Sequence, residues 1–231
     1  MIFTTAVTDR PRNSLRAFTI FLFLAVIPAA WGAQPTKVEA LGVLTDASVP
    51  QVIRQALAPK GYRIALDAAG PVIELWYRKE VPAQPKGTPT DAVYDQLTPS
   101  TLIGVAHFTG AASDYRGQSI APGFYTLRYA LMPNDGNHLG VAPSRDFLLL
   151  VPAAADPGPE ALPKFLDLVA LSRQASGTKH PAPMSLVPAE GAATSDITTD
   201  EEGHSIFTSV IHLASGTDLP IALVVKGTAP Q

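Results

Sequence analysis

Residues 120–152 read IAPGFYTLRYALMPNDGNHLGVAPSRDFLLLVP, and this stretch predicts a β-hairpin. The run Phe124–Leu131 alternates, so that Tyr125 and Leu127 share one face, which is the two-residue period of a strand. The run Phe147–Val151 is apolar throughout, which is typical of a strand covered on both faces. The two runs therefore predict neighbouring antiparallel strands.

The connection between these runs, residues 133–146, is rich in polar and turn-forming residues. Its Asn-Asp-Gly-Asn segment tolerates left-handed backbone, so we expect an exposed loop longer than a two-residue turn. Exposed loops on a rigid sheet often carry binding sites. We therefore predict a binding surface made of this loop, Arg128 on the preceding strand and the Glu74/Trp76/Arg78 face of another strand. Its loop residues are Asp135, Asn137, His138, Arg145 and Asp146.

Strand and helix patterns surround the hairpin. Strand patterns occur at residues 37–44, 62–66, 72–78, 101–108, 206–213 and 219–225, and Gly104 is predicted to mark a β-bulge. A helix of about ten residues is predicted after Ser48, which would cap it, and a second helix covers residues 164–174. The remaining segments are predicted as loops (81–99, 110–118 and 194–203) or as extended chain (178–188). Short strands with only two short helices predict a mainly β fold, an antiparallel β-sandwich or jelly-roll-like domain.

The first 32 residues have the composition of a signal peptide. Three arginines precede the apolar run Ala17–Ile27, and small residues follow up to Gly32, where we expect cleavage. This predicts export to the periplasm or outside the cell, with one domain over residues 33–231. The alternative is a retained membrane anchor, but residues 17–33 are shorter than the ~20 apolar residues that a span needs.

Charge and cysteine content exclude several classes of protein. Removing residues 1–32 takes away three of the 17 basic and one of the 20 acidic residues, which leaves a net charge near −5. With no basic run in the sequence, we expect no nucleic-acid partner. The absence of cysteine excludes a disulfide, a thiol nucleophile and a lipid-modified cysteine.

No catalytic or cofactor motif occurs in the sequence. The chain contains neither the G-x-S-x-G elbow of serine hydrolases nor the H-E-x-x-H pattern of zinc proteases. Its glycines are scattered singly, and residues 134–137 lack the following glutamate of a calcium-binding loop. We therefore predict no cofactor.

Several side chains remain open to two interpretations. His138, beside Asp135 and Asn137, either joins a polar or metal-binding pocket or simply completes a turn. Trp76 is either a core residue or part of an aromatic platform for a sugar ring. Glu74 and Asp146 could be paired glycosidase carboxylates, although the sequence does not define their separation.

One segment carries a resemblance. The motif P-G-x-Y-x-L-R-Y-x-L-x-P-x-D-G-x-H-x-G, which begins at Pro122, resembles a segment in a group of exported bacterial proteins with no assigned function. The resemblance extends over most of residues 33–231. It implies a bacterial envelope or secreted setting, and it implies no activity, cofactor or catalytic residue.

These observations favour a non-enzymatic binding or interaction module of the bacterial envelope. Its expected partner is a small molecule, a glycan or an envelope protein, and we expect no membrane span in residues 33–231. The alternative is a hydrolase or metal-dependent enzyme whose site is assembled from loops around Asp135, His138 and Asp146.

Overall fold

The structure is a computed structural model that describes residues 1–2, 37–66, 72–87, 92–134, 142–189 and 195–229. The chain divides into two units, Met1–Gly32 and Ala33–Gln231, and the elements described below all belong to the second. The predicted signal peptide lies outside the described residues apart from its first two. Half of the loop after the first hairpin strand, residues 135–141, also lies outside them, including Asp135, Asn137 and His138.

The described part of the chain forms twelve strands and two α-helices. They are, in chain order, β1 (Lys37–Leu41), α1 (Gln51–Ala56), β2 (Gly61–Ala65), β3 (Val72–Tyr77), β4 (Leu102–Phe108), β5 (Ala112–Ser113), β6 (Ser119–Ile120), β7 (Gly123–Leu131), β8 (Asp146–Pro152), α2 (Phe165–Ser176), β9 (Pro183–Val187), β10 (Asp196–Thr199), β11 (Ser205–His212) and β12 (Asp218–Lys226). The predicted mainly β fold with two short helices is confirmed.

Ten of the described strands form one antiparallel sheet in the order β1-β2-β3-β4-β7-β8-β9-β12-β11-β10, and β5 and β6 pair separately. The sheet curls until its two edge strands, β1 and β10, contact each other. It is therefore nearly barrel-shaped, and the inner faces of opposite strands enclose the main core as the two layers of a β-sandwich do.

The predicted hairpin is the pair β7–β8, with Tyr129 opposite Leu148. Tyr125, Leu127 and Tyr129 point into the main core together with Leu148, as the alternation predicted. The other face of the hairpin is also covered, because α2 packs against it. The continuous apolar run of β8 is thus explained by burial on both faces.

Two helices cover different parts of the outer face of the sheet. Ile53 of α1 and Val49, two residues before the helix, pack in one cluster with Trp76 of β3 and Val105 of β4. Helix α2 packs on β7 and β8 further round the sheet, and Gly177 ends it with a positive φ of 64°. Both helices are amphipathic and bury one face each, so the sheet provides the surface that stabilises them.

The prediction for α1 was wrong in two details. The helix has six residues rather than about ten, because Leu57 leaves it to form a β-bridge with Arg78. Ser48 does not cap the helix; its backbone N–H and its hydroxyl both donate to Asp46 Oδ1, at 2.8 and 2.6 Å. Asp46 and Ser48 therefore shape the turn before the helix.

Three strand regions were missed because their sequences are short or polar. The predicted loop 110–118 contains β5, and the predicted loop 194–203 contains the edge strand β10. The extended segment 178–188 contains β9, which lies in the middle of the sheet between β8 and β12. Proline content hid β9, but Pro183 is its first residue, a position that proline tolerates.

The predicted bulge at Gly104 is confirmed. The pairing of β4 with β7 shifts register between Leu102 and Gly104. A Cβ at Gly104 would lie 2.3 Å from the carbonyl oxygen of Trp76, so the close approach of β3 requires glycine.

Among the described residues, no helix is both long and apolar enough to cross a membrane.

Candidate functional site

The predicted site residues that the structure describes do not converge. Trp76 and Arg128 lie on the outer face of the sheet. Asp146 instead accepts a hydrogen bond from Tyr129, whose side chain lies on the inner face. The sheet itself therefore separates them. Asp135, Asn137 and His138 lie outside the described residues, so the interpretation of His138 as a metal ligand or turn residue stays a prediction.

Arg128 is fully buried, and all five of its N–H donors are used within the protein. Its Nε and Nη2 bind the two carboxylate oxygens of Asp156 at 2.7 and 2.6 Å. Its Nη1 donates to the carbonyls of Ser100 and Ala161, and Nη2 also donates to the carbonyl of Gly158, each at 2.7 Å. The guanidinium thus holds the segment 153–163 on the sheet and has no donor left for a ligand.

Asp146 is also fully buried and anchors the long segment that follows β3. Its Oδ1 accepts hydrogen bonds from the Tyr129 hydroxyl at 2.6 Å and from the Tyr94 backbone N–H at 3.0 Å. Its Oδ2 accepts from the backbone N–H of Val93 at 2.9 Å. Burial, followed by the contact with the Asp146 carboxylate, raises the pKa of Tyr129 well above its ordinary value. Asp146 therefore has a clear structural function at this end of the core.

Arg145 closes the neck of the loop 133–146. Its Nε and Nη2 both donate to the carbonyl of Met132, at 2.9 and 2.7 Å. The Met132 N–H donates back to the Arg145 carbonyl at 2.7 Å. The two ends of the loop are thus held together where it leaves the sheet.

Trp76 is a core residue. Only 5% of it is exposed, and its Nε1 donates to the carbonyl of Gly42 at 2.8 Å. Tyr77 and Tyr94 are buried as well. These rings offer no face on which a sugar could stack.

Glu74 lies in a polar network on the outer face of β2, β3 and β4. Its Oε1 accepts from Arg63 Nη2 at 2.6 Å, and its Oε2 lies 2.8 Å from His107 Nδ1. Burial would raise the pKa of Glu74, but the hydrogen bonds from His107 and Arg63 outweigh it and lower the pKa. The His107 ring also stacks on Phe124, with 4.0 Å between the ring centroids. Because Asp146 is on the inner side, Glu74 and Asp146 do not face each other as a glycosidase pair.

Three side chains bring their potential metal-ligand atoms within 4.8 Å of one another: Asp200, Glu202 and His204. His204, however, uses both ring nitrogens: Nδ1 lies 2.8 Å from Asp200 Oδ2, and Nε2 lies 3.1 Å from the carbonyl oxygen of Thr228. Since a carbonyl only accepts, Nε2 must donate, and a carboxylate partner makes Nδ1 a donor too. Both ring nitrogens of His204 are thus engaged within the protein, and neither is directed to a metal.

A mainly apolar concave site lies between α2 and the outer face of β7 and β8. It encloses about 340 Å³, within the ~300–1,000 Å³ range of small-molecule sites. Its wall is mainly apolar: Ala130, Leu131, Met132, Phe147, Leu149 and Val169. At its mouth Phe165 and Leu166 are 42% and 76% exposed. We refer to this site as the α2 groove.

Sequence reasoning missed this groove, although it found α2 itself. The buried stripe of α2 contains Leu168, Ser172 and Ala175. Phe165 and Leu166 extend the apolar surface beyond that stripe, and a wider apolar surface than packing requires is the signal that could have revealed the groove. Met132 and Pro133, where the predicted binding loop begins, line its edge.

Two arginines, a histidine and a tyrosine hydroxyl border the groove. Arg116 and Arg173 are exposed and line the groove together with His180; within the described chain none of the three side chains forms an ion pair. Tyr115 also lines it, and its buried hydroxyl has no hydrogen-bond partner there. No acidic residue of the described chain lines the groove.

The chain matches no protein-family model, no curated protein and no solved structure.

Proposed function

We propose that this chain is an exported, non-enzymatic binding module of the bacterial envelope and that the α2 groove is its ligand site. The observation that carries the proposal is an apolar concavity, with Phe165 and Leu166 exposed at its mouth. Exposed large apolar side chains beside a cavity are a common mark of a binding site, because their hydration is unfavourable without a partner.

Two further observations support a binding function. Arg128 and Asp146 are engaged in internal hydrogen bonds, and His204 has both ring nitrogens occupied. These groups are therefore committed to the fold. In addition, the loop 133–146, which was predicted to bind, starts at the groove through Met132 and Pro133.

A neutral fluorescent probe tests the groove. N-phenyl-1-naphthylamine fluoresces strongly only in apolar surroundings, so titration of the purified protein should give a saturable increase with one site per chain. Met132→Trp fills the groove and should abolish the increase. Val52→Trp is the matched control, because Val52 is exposed on α1 and does not line the groove.

Melting temperatures of both variants show whether each remains folded. If the wild-type protein gives no saturable increase, or if Met132→Trp binds the probe as well as Val52→Trp does, the groove is not the ligand site.

Export is tested separately. The full sequence expressed in a bacterial host should appear in the periplasm or the medium, with an N-terminus at Ala33 after cleavage behind Gly32. Intact mass and N-terminal sequencing of the fractionated protein measure this directly. An uncleaved chain that stays in the cytoplasm would contradict the envelope location and leave the groove experiment unaffected.

A further inference from the structure

We infer that the α2 groove selects a single-chain aliphatic carboxylate, with its tail in the groove and its anionic head at the basic rim. This inference rests on the proposed function and adds the chemical class of the ligand. It is carried by the separation of apolar and basic side chains around one cavity.

The wall of the groove suits an unbranched aliphatic tail. Ala130 and Leu149 come from neighbouring strands and Val169 packs against them from α2, so the tail would lie in the crevice along the edge where the helix meets the sheet. Met132 adds a flexible apolar side chain that adapts to a mobile ligand. A ligand with polar groups along its length would find no hydrogen-bond partner along this wall, and burying those groups would be unfavourable.

The rim suits an anion. Arg116 comes from the turn between β5 and β6, Arg173 from the last turn of α2, and His180 from the segment before β9. Three elements thus direct basic residues to one cavity in a chain whose net charge is −3. Asp167, the acidic residue of α2, does not line the groove.

Asp114 does not occupy the guanidinium donors of Arg116. Its carboxylate interacts electrostatically with Arg116 but is buried. Its oxygens accept hydrogen bonds from the backbone N–H groups of Arg116 and Gln118 and from the Gln118 side chain. The Arg116 guanidinium therefore keeps its donors for a carboxylate, which it can bind in a bidentate manner.

An anionic membrane surface is the competing partner, since Leu162, Phe165 and Leu166 are exposed near Lys164. Such a patch of apolar and basic residues can rest on lipid headgroups. The basic rim, however, borders a cavity that a flat surface does not enter. The concavity therefore favours a ligand that leaves the bilayer and enters as a single chain.

Displacement of N-phenyl-1-naphthylamine tests the inference. Sodium dodecanoate, below its micelle concentration, should displace the probe about ten-fold more tightly than dodecanol, because each exposed arginine contributes about two- to five-fold in affinity. Dodecyltrimethylammonium should be weakest. From octanoate to dodecanoate the affinity should rise by up to about four-fold for each methylene buried.

Variants of the rim identify the head-group site. Arg116→Gln/Arg173→Gln should weaken dodecanoate about ten-fold and change dodecanol less than about two-fold. Lys164→Gln/Lys179→Gln removes the same charge from residues that do not line the groove, and it should leave both affinities unchanged. The exposed arginines have no ion-pair partner in the described chain, so the variants should melt like the wild-type protein.

The outcomes separate the two proposals. If the probe binds in the groove but dodecanol competes as well as dodecanoate, or if the arginine variant behaves like the lysine control, the carboxylate inference fails and the binding groove stands. If the wild-type protein does not bind the probe, both fail. Co-sedimentation with phosphatidylglycerol vesicles without displacement by dodecanoate would overturn the inference in favour of a membrane surface.

Discussion

Arg128 and Asp156 form a bidentate ion pair, 28 residues apart in the chain, in which neither side chain is exposed. The Thr126 hydroxyl donates to the same carboxylate at 2.5 Å, and the backbone N–H of Gly158 donates at 2.9 Å. The pair connects β7 to the segment that leads into α2. It therefore helps to position the helix that forms one wall of the groove.

Arg128→Gln should destabilise the protein by about 3–5 kcal/mol, because it leaves the Asp156 carboxylate buried without its cation. Urea unfolding followed by circular dichroism measures the free energy of unfolding. The matched control is Lys37→Gln, which breaks the exposed Lys37–Glu39 pair and should cost less than about 1 kcal/mol. Equal effects of the two substitutions would contradict the structural function of Arg128.

Tyr115 and Tyr129 should respond in opposite directions to loss of the hydroxyl. Tyr129→Phe removes the hydrogen bond to Asp146 and should cost about 1.5–3 kcal/mol. Tyr115→Phe removes a buried hydroxyl that has no partner in the described chain, so it should raise the free energy of unfolding by about 1 kcal/mol. Thermal melts of the two variants provide the comparison, and a destabilised Tyr115→Phe would show that its hydroxyl is bonded.

Gly104→Ala should destabilise the sheet by about 1–3 kcal/mol, since its Cβ would collide with the Trp76 carbonyl oxygen at 2.3 Å. Gly42→Ala is the control, because no atom lies within 4 Å of its added Cβ. Urea midpoints measured in parallel should separate the two. A neutral Gly104→Ala would mean that β3 and β4 can move apart at the bulge.

The stability should fall as the pH rises above about 6.5 because of His204. Burial alone would lower the pKa of His204, but hydrogen bonds to Thr228 and Asp200 outweigh it and raise the pKa above its ordinary value of 6.5. A raised pKa stabilises the folded state fully below pH 6.5, and that contribution is lost as the pH rises through the folded-state pKa.

The dependence on His204 is tested by measuring the free energy of unfolding between pH 5 and pH 9, roughly two units either side of an ordinary histidine pKa. His204→Gln should remove the decline, and Asp200→Asn should reduce it because it removes the carboxylate partner. A decline that is the same in all three proteins would assign the pH dependence to another group.

The strands of the central hairpin could be predicted because their signal is local. The alternation around Tyr125 and Leu127 and the apolar run of β8 report burial directly, and turn residues mark the ends. The strands β9 and β10 could not be predicted in the same way. Strand β9 has only five residues and begins with Pro183, and β10 has four mostly polar residues that end at Thr199. Both become strands because neighbouring strands supply their hydrogen bonds.

The candidate site was likewise only partly predictable from the sequence. The sequence identified Trp76 and Arg128 as notable residues on strands and Asp146 as a polar residue at the end of the loop, but it could not show that their partners lie within the protein. Those partners are distant in the chain: Gly42 for Trp76, Asp156 for Arg128, and Tyr94 for Asp146. Only folding brings such groups within hydrogen-bond distance.

By itself, the sequence determined a mainly β chain without disulfides, its central hairpin, its glycine bulge and its two amphipathic helices, because periodicity and steric limits act between near neighbours. Tertiary structure decided which side chains stay available to a ligand. The curled sheet buries Arg128 and Asp146 in internal bonds, while the position of α2 leaves Arg116 and Arg173 beside an apolar groove. Availability depends on contacts between distant elements, and these exist only in the folded chain.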